Sequence, residues 1–409
     1  MAWLLFTLTV LAVLLPMLPA IIEWRWPSDM VPLHIDTEDA LDPPLLARSF
    51  VARLRTAVAE GQTRLGRSLI ALAPAGDVWT FIEREQRSGQ SRRVWHAVGD
   101  IALPVGMTFL AEVAAGRHLR TAPREVYRAL SAGQCLHLAA GSTVLRWAHA
   151  VHVDVHDGSM LAGRVSADES ITLWGAASFT LLHAPAVFFG TDPARAAARL
   201  APPLSVANAG LPKPVRWDSV AGRGTCDVAL SLRAGTAWQG DLVCQSDLSL
   251  GPRCFAGGSL KAHGKLLVGA GCHIEGNLVT AGRIELGAAC AVHGSLVCET
   301  EIVIGAGCVI GRPGALVTVA APRIQIGPDT VVHGTVWAGE VGHTQPVGAA
   351  DDGLAALASL PVGDLSNDRS SDPASGPTSD PTSGPTSGVD DVDWPETRHQ
   401  PQPAQAATA

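Results

Sequence analysis

Four cysteines, Cys254, Cys272, Cys290 and Cys308, stand 18 residues apart. A metal site gathers its thiols at one point and a disulfide framework pairs them, so a fixed long interval signals a structural repeat. Rows of 18 from Gly222 stay in register without gaps for five rows, opening on Gly222, Gly240, Gly258, Gly276 and Gly294. One column then holds Leu230, Leu248, Leu266, Ile284 and Ile302, and the column two residues further on holds Leu232, Leu250, Val268, Leu286 and Ile304. Apolar columns come in pairs two apart, and the pairs recur every six residues. This is the signature of three short strands per row, each with one buried face. Three faces close a coil only if all six apolar columns point inward.

The predicted fold is therefore mainly β, a parallel β-helix (β-solenoid) of about 18 residues per coil in which each strand pairs with its equivalent one row away. Cys254, Cys272, Cys290 and Cys308 become small buried members of that core, and Cys226, Cys244 and Cys298 fall in a second inward column. A sixth row needs an insertion near "RPGA", residues 312–315, before Ile324, Ile326 and Gly327 restore register. The ladder covers 222–343. A blurred version runs through 105–190, where Leu136 and Leu138, Val153 and Val155, Ile171 and Leu173, and Val187 and Phe189 follow at intervals of 17, 18 and 16. This predicts a first, irregular coil block. Between the two blocks, 191–221 is proline-rich and reads as a connector.

The remaining segments differ in kind. Residues 1–22, "MAWLLFTLTVLAVLLPMLPAII", carry no charge and predict a membrane anchor. No Lys or Arg precedes the apolar run, which favours an uncleaved anchor over a signal peptide. A mixed helix and strand region is expected over 23–104. Within it "LLARSFVARLRTAVAE" at 45–60 predicts a helix with Leu46, Phe50 and Leu54 on one face, packed on the domain or lying on lipid. The tail at 344–409 repeats Pro, Ser, Thr and Gly without apolar periodicity and is expected to be disordered.

The net charge of −8 is local to the tail. Ten Asp or Glu against Arg369 and Arg398 in 346–409 give −10 + 2 = −8, leaving 1–345 formally neutral. A neutral body has no field to draw in a phosphate backbone, so nucleic acid is not an expected partner. Eight scattered cysteines without C-x-x-C spacing suit free thiols in a reducing compartment, which places the bulk of the chain on the cytoplasmic side of the membrane.

Chemistry-bearing residues are sparse. His263, His273, His293 and His333 fall outside the inward columns and read as outward histidines on a solvated coil surface. "HAVHVDVHD" at 149–157 puts His152, Asp154 and His156 on one strand face, but ligands at i and i+2 stand about 7 Å apart, too far to converge on zinc. No nucleotide loop, nucleophile elbow or dinucleotide fingerprint occurs. No catalytic, cofactor or metal site is expected, and the chain does not read as an enzyme.

"GNLVTAGRIELGAACAVHGSLVCETEIVIGAGCVIGRPGALV" resembles the bactofilins, bacterial polymer-forming cytoskeletal proteins. The resemblance rests on the coil-opening Gly276, Asn277 and Leu278 and on the pair Ile284 and Leu286 followed by Gly287. It implies a right-handed β-helix that polymerises without nucleotide, lies on the membrane and scaffolds envelope-modifying protein partners. Solenoid ends leave strand edges uncapped. Leu230, Leu232 and Trp238 at one end, and Val332, Val336 and Trp337 at the other, are the expected contacts of a homopolymer. The same hexad pattern is similar to that of left-handed hexapeptide-repeat acyltransferases, so a membrane-tethered acyltransferase or metal-dependent lyase is the alternative. A second is an envelope-facing binding module in which the solenoid is a spacer.

Overall fold

The computed structural model describes residues 2–15, 42–72, 88–190 and 211–345. It is a β-solenoid of about 13 turns with about 18 residues per coil and few helices. In the second stack, Arg223 to Thr344, the columns pair as their spacing dictates. Leu230, Leu248, Leu266, Ile284, Ile302 and Ile324 are successive parallel partners. So are Leu232, Leu250, Val268, Leu286, Ile304 and Ile326. All twelve are buried in one continuous core.

Strands of two to four residues suffice because each inward side chain packs on its counterpart one coil away. The turns between them must be tight. At the corner occupied by Gly251, Gly269, Gly287 and Gly305, a Cβ on Gly269 would lie 2.6 Å from the Pro252 nitrogen. Only glycine lets successive corners approach at the strand spacing. The insertion at 312–315 closes as a small turn, with Arg312 bridged to Ala315, and lengthens one coil so that Leu296 pairs with Val319.

The first stack follows the same plan less regularly. Leu136 pairs with Val153, Val153 with Ile171 and Ile171 with Val187, the intervals read from the sequence. Parallel pairing also reaches further toward the N-terminus than residue 105. Ser68–Leu72 pairs with Val94–Ala97, and the latter with Thr108–Ala115. Ile70 and Val94 are a longer coil apart than the 18 that join Trp95 to Val113. That unequal spacing hides the repeat over 23–104.

Helix α1 spans Ala2–Leu14 and α2 spans Leu45–Ala59. Gly61, at φ 68°, ends α2 by donating to the Val58 carbonyl. The helix lies on the outside of the first stack, burying Ala47, Phe50 and Leu54 against Val94, Ala111, Ala114, Ala129 and Trp147. Phe50 and Trp147 meet with ring centroids 5.5 Å apart. Leu46 lies one position off this face and is exposed, which corrects its expected placement. No helix among the described residues is long and apolar enough to cross a membrane. The 13 residues of α1 rise about 20 Å, short of a hydrocarbon core of about 30 Å. Residues 16–22 of the expected anchor lie outside the described residues, as does the expected disordered tail from 346 onward.

The two stacks meet at their last coils. Ala177–Phe189 pairs antiparallel with Thr330–Thr344, Leu182 opposite Val336 and Val187 opposite Val332. The Thr344 hydroxyl donates to the Gly175 carbonyl at 2.6 Å and accepts from the Ala177 amide at 2.8 Å. Gly342 has no Cβ because the Phe179 ring occupies that space, 2.2 Å from where the atom would sit. Within the expected connector, Arg216–Asp218 forms a short antiparallel strand on Arg223–Cys226.

Leu266→Ala removes a fully buried side chain that neighbouring coils clamp on both sides. It is expected to destabilise the solenoid by about 2–5 kcal/mol in denaturant unfolding; a cost below 1 kcal/mol would mean the core collapses freely around the gap.

Candidate functional site

The six expected polymer contacts have different fates. Leu230, Leu232 and Trp238 are buried inside the first coil of the second stack. The backbone there remains open on one side, since Leu230–Leu232 and Ala237–Trp238 pair only with the coil that follows. Leu230 donates to the Asp247 carbonyl and Leu232 accepts from the Gly251 amide, so both residues face the next coil. Alternation then turns the Ser231 amide and carbonyl away from it, toward the free end. The Trp238 indole N–H is buried without an acceptor. Val332 and Val336, by contrast, are buried against the chain's own Val187 and Leu182. That end is closed internally, which corrects their expected role; Trp337, opposite Leu181, is 55% exposed.

The cysteine column carries a hydrogen-bond ladder that spacing alone did not suggest. Cys254, Cys272, Cys290 and Cys308 donate at 3.2 Å to the carbonyls of Arg233, Gly251, Gly269 and Gly287. The Cys254 thiol acts to lower the Cys272 pKa, but the Cys290 thiol and burial outweigh it and push Cys272 up to about 12. These thiols are structural, and all eight cysteines are free.

Outside the core, stacking assembles side chains that are far apart in sequence. His263 stays exposed and His333 donates to the Pro185 carbonyl across the junction at 3.0 Å. His273 and His293 converge on Glu275, which sequence reasoning missed. His273 Nε2 lies 2.6 Å from one carboxylate oxygen and His293 Nδ1 3.0 Å from the other. Arg312, from the inserted turn, contacts both Glu275 and His293. The Phe255 ring stacks on His273 at 5.5 Å. Burial alone would raise the Glu275 pKa, but hydrogen bonds from the two histidines and the Arg312 charge bring it down to about 2. The signal was present: Glu275 follows His273 by two residues and precedes His293 by one 18-residue coil. The group is a closed ion-pair network that braces successive coils and holds the insertion.

In the first stack, Cys135, His137 and Asp154 form a second cluster. Cys135 and His137 alternate on one outward strand face, and Asp154 is the register partner of His137 one coil on. Burial and the Asp154 carboxylate push the Cys135 thiol up to about 11. Of the group expected on one strand, only Asp154 joins it; His152 turns to Ser170 and Glu169, and His156 is exposed. A further column runs Ser131, His149, Ser166, His183 and Thr335, crossing from one stack to the other. His149 bonds Ser166 at 3.0 Å and His183 bonds Thr335 at 2.8 Å. Burial lowers the pKa of both histidines. A cavity of about 450 Å³ between α2 and the coils is lined by Phe50, Arg53, Leu65, Glu112 and Arg128, with Arg128 already paired to Glu112 at 3.3 Å.

No protein-family model, curated protein or solved structure matches this chain.

Two pH windows follow. His149 and His183 have folded pKa values below the ordinary 6.5, so their contribution is full above pH 6.5 and declines as pH falls below it, where the unfolded chain takes up protons first. His183→Asn should flatten part of the fall in thermal stability as pH drops below 6.5. Glu275, at about 2 against an ordinary 4.5, contributes stability above pH 4.5 that is lost as pH falls toward 2. Glu275→Gln should lower the melting temperature at pH 7 and reduce the fall between pH 4.5 and 2; an unchanged melting temperature at pH 7 would show the network to be idle.

Proposed function

We propose that this protein is a self-associating, nucleotide-independent scaffold of bactofilin type, held at a membrane by its N-terminal segment, on which other proteins assemble. The observation that carries the reading is the pair of ends left by the internal junction. Because the two last coils are joined, each end of the stack is a first coil. About 13 coils at about 4.8 Å make a body about 60 Å long between them. At one end Leu230–Leu232 and Ala237–Trp238 have no outer partner among the described residues; at the other, neither do Gln90–Ser91 and Ile101–Ala102. Open strand edges template pairing with another copy.

The antiparallel junction supports the same reading, because it is a like-to-like coil contact of the kind that a homopolymer of such rods needs. The neutral charge of 1–345 opposes self-association little. Membrane attachment rests on α1, whose Trp3, Phe6, Leu8 and Leu11 are all more than 60% exposed. The resemblance of 276–317 to bactofilins points the same way.

The full chain, purified without nucleotide, should form filaments in negative stain. Ser231→Pro deletes an amide that no neighbouring coil uses, so it should leave the fold intact by circular dichroism while converting filaments to short or paired rods. Monodisperse single rods or a discrete trimer from the unaltered chain would end the scaffold reading.

A further inference from the structure

We propose that Cys135, His137 and Asp154 form a binding site for a divalent transition metal, with zinc the best match to its donors. Cys135 Sγ lies 3.3 Å from His137 Nε2 and 3.6 Å from Asp154 Oδ2, and His137 Nδ1 lies 3.1 Å from the same oxygen. Zinc held tetrahedrally at about 2.3 Å from sulfur and about 2.0 Å from nitrogen and oxygen sets its ligand atoms about 3.3–3.6 Å apart. Those distances meet His137 at its two different nitrogens; with one nitrogen as the donor, the three ligand atoms lie within 4.8 Å of one another, and the 3.6 Å edge from sulfur to carboxylate is already that size. Ligands at i and i+2 of one strand would not close on a metal unaided. Here the coil beneath supplies the third ligand, in register with His137, and the three side chains lean together.

The chemistry of the group selects among its uses. A carboxylate 3.6 Å from a thiol opposes formation of the thiolate, the reverse of what a Cys-His-Asp nucleophile needs. A divalent cation between them turns that repulsion into attraction and displaces the thiol proton to solvent, one proton per metal bound. The other cluster of similar composition differs on this point, since Glu275 and His293 already hold the Arg312 guanidinium. Thiolate with imidazole favours zinc over magnesium or calcium. The site is half-buried, with His137 and Asp154 side chains 35% and 26% exposed, so a metal can enter and water can fill the fourth position. His152, in register with Cys135, is retained by Ser170 at 2.9 Å and Glu169 at 3.3 Å. Bound metal would staple Cys135–Leu138 to the coil that carries Asp154.

The test uses the full chain stripped with chelator and titrated with zinc chloride by calorimetry, with cobalt(II) as spectroscopic probe. The expected result is one tight site per chain, a sulfur-to-cobalt charge-transfer band and a metal-dependent rise in melting temperature. Cys135→Ser should abolish the band. Asp154→Asn should weaken zinc at least about 10-fold, the low end of what even outer-sphere substitutions cost, while Glu275→Gln leaves both readouts unchanged. The cobalt spectrum of the unaltered chain is decisive without any variant. Absence of a thiolate band, or zinc uptake that survives Cys135→Ser and Asp154→Asn, overturns the proposal.

Discussion

Every feature of this protein depends on the vertical pairing of like coils at a constant strand spacing. Parallel hydrogen bonds between strands as short as two residues would not persist alone. They persist because each inward Leu, Ile, Val or Cys rests on its counterpart one coil away, so backbone pairing and apolar burial enforce one another. Leu248, Leu266 and Ile284 show the arrangement at its most regular. The glycine corners follow from it, since successive turns must approach as closely as the strands do. The cysteines use the same closeness: each thiol fills the core and also satisfies a carbonyl of the preceding coils.

A stack of coils has two ends, and here one end of each stack has been used to solve the problem of the other. The antiparallel pairing of Ala177–Phe189 with Thr330–Thr344 removes two exposed edges and leaves a body whose two termini are both first coils. The junction is finished with side chains as well as backbone, through Thr344 on Gly175 and His183 on Thr335. Reversal of direction at the middle gives the molecule an approximate equivalence of ends. A chain with a single stack would instead present one leading and one trailing coil.

Stacking also decides which outward side chains can act together. On a coil surface the neighbours of a residue are those two away along the strand and those one coil above or below. His273, Glu275 and His293 satisfy both relations, as do Cys135, His137 and Asp154. The two groups diverge in how a cation meets them, since Arg120, the register partner of His137, acts on Cys135 only through its charge. Arg312, brought in by a coil insertion, closes the first as an ion-pair network, whereas the second keeps a thiol beside a carboxylate.

Over 222–315 the sequence by itself determined the coil length, which columns face inward, the burial of seven cysteines and the place of the insertion. A gapless 18-residue period leaves one way to close three apolar faces, and local periodicity encodes the face of a side chain directly. The intervals of 17, 18 and 16 likewise placed Leu136, Val153, Ile171 and Val187 on one another. The Glu275 cluster was legible by the same arithmetic, applied to polar residues. Tertiary structure alone decided that Val332 and Val336 pair within the chain, that Ser68–Leu72 joins the first stack across an irregular coil, and that Ala47 replaces Leu46 on the buried face of α2. A strand edge carries the same unpaired amides and carbonyls whatever its sequence, so its partner is settled by which surfaces the folded chain brings together.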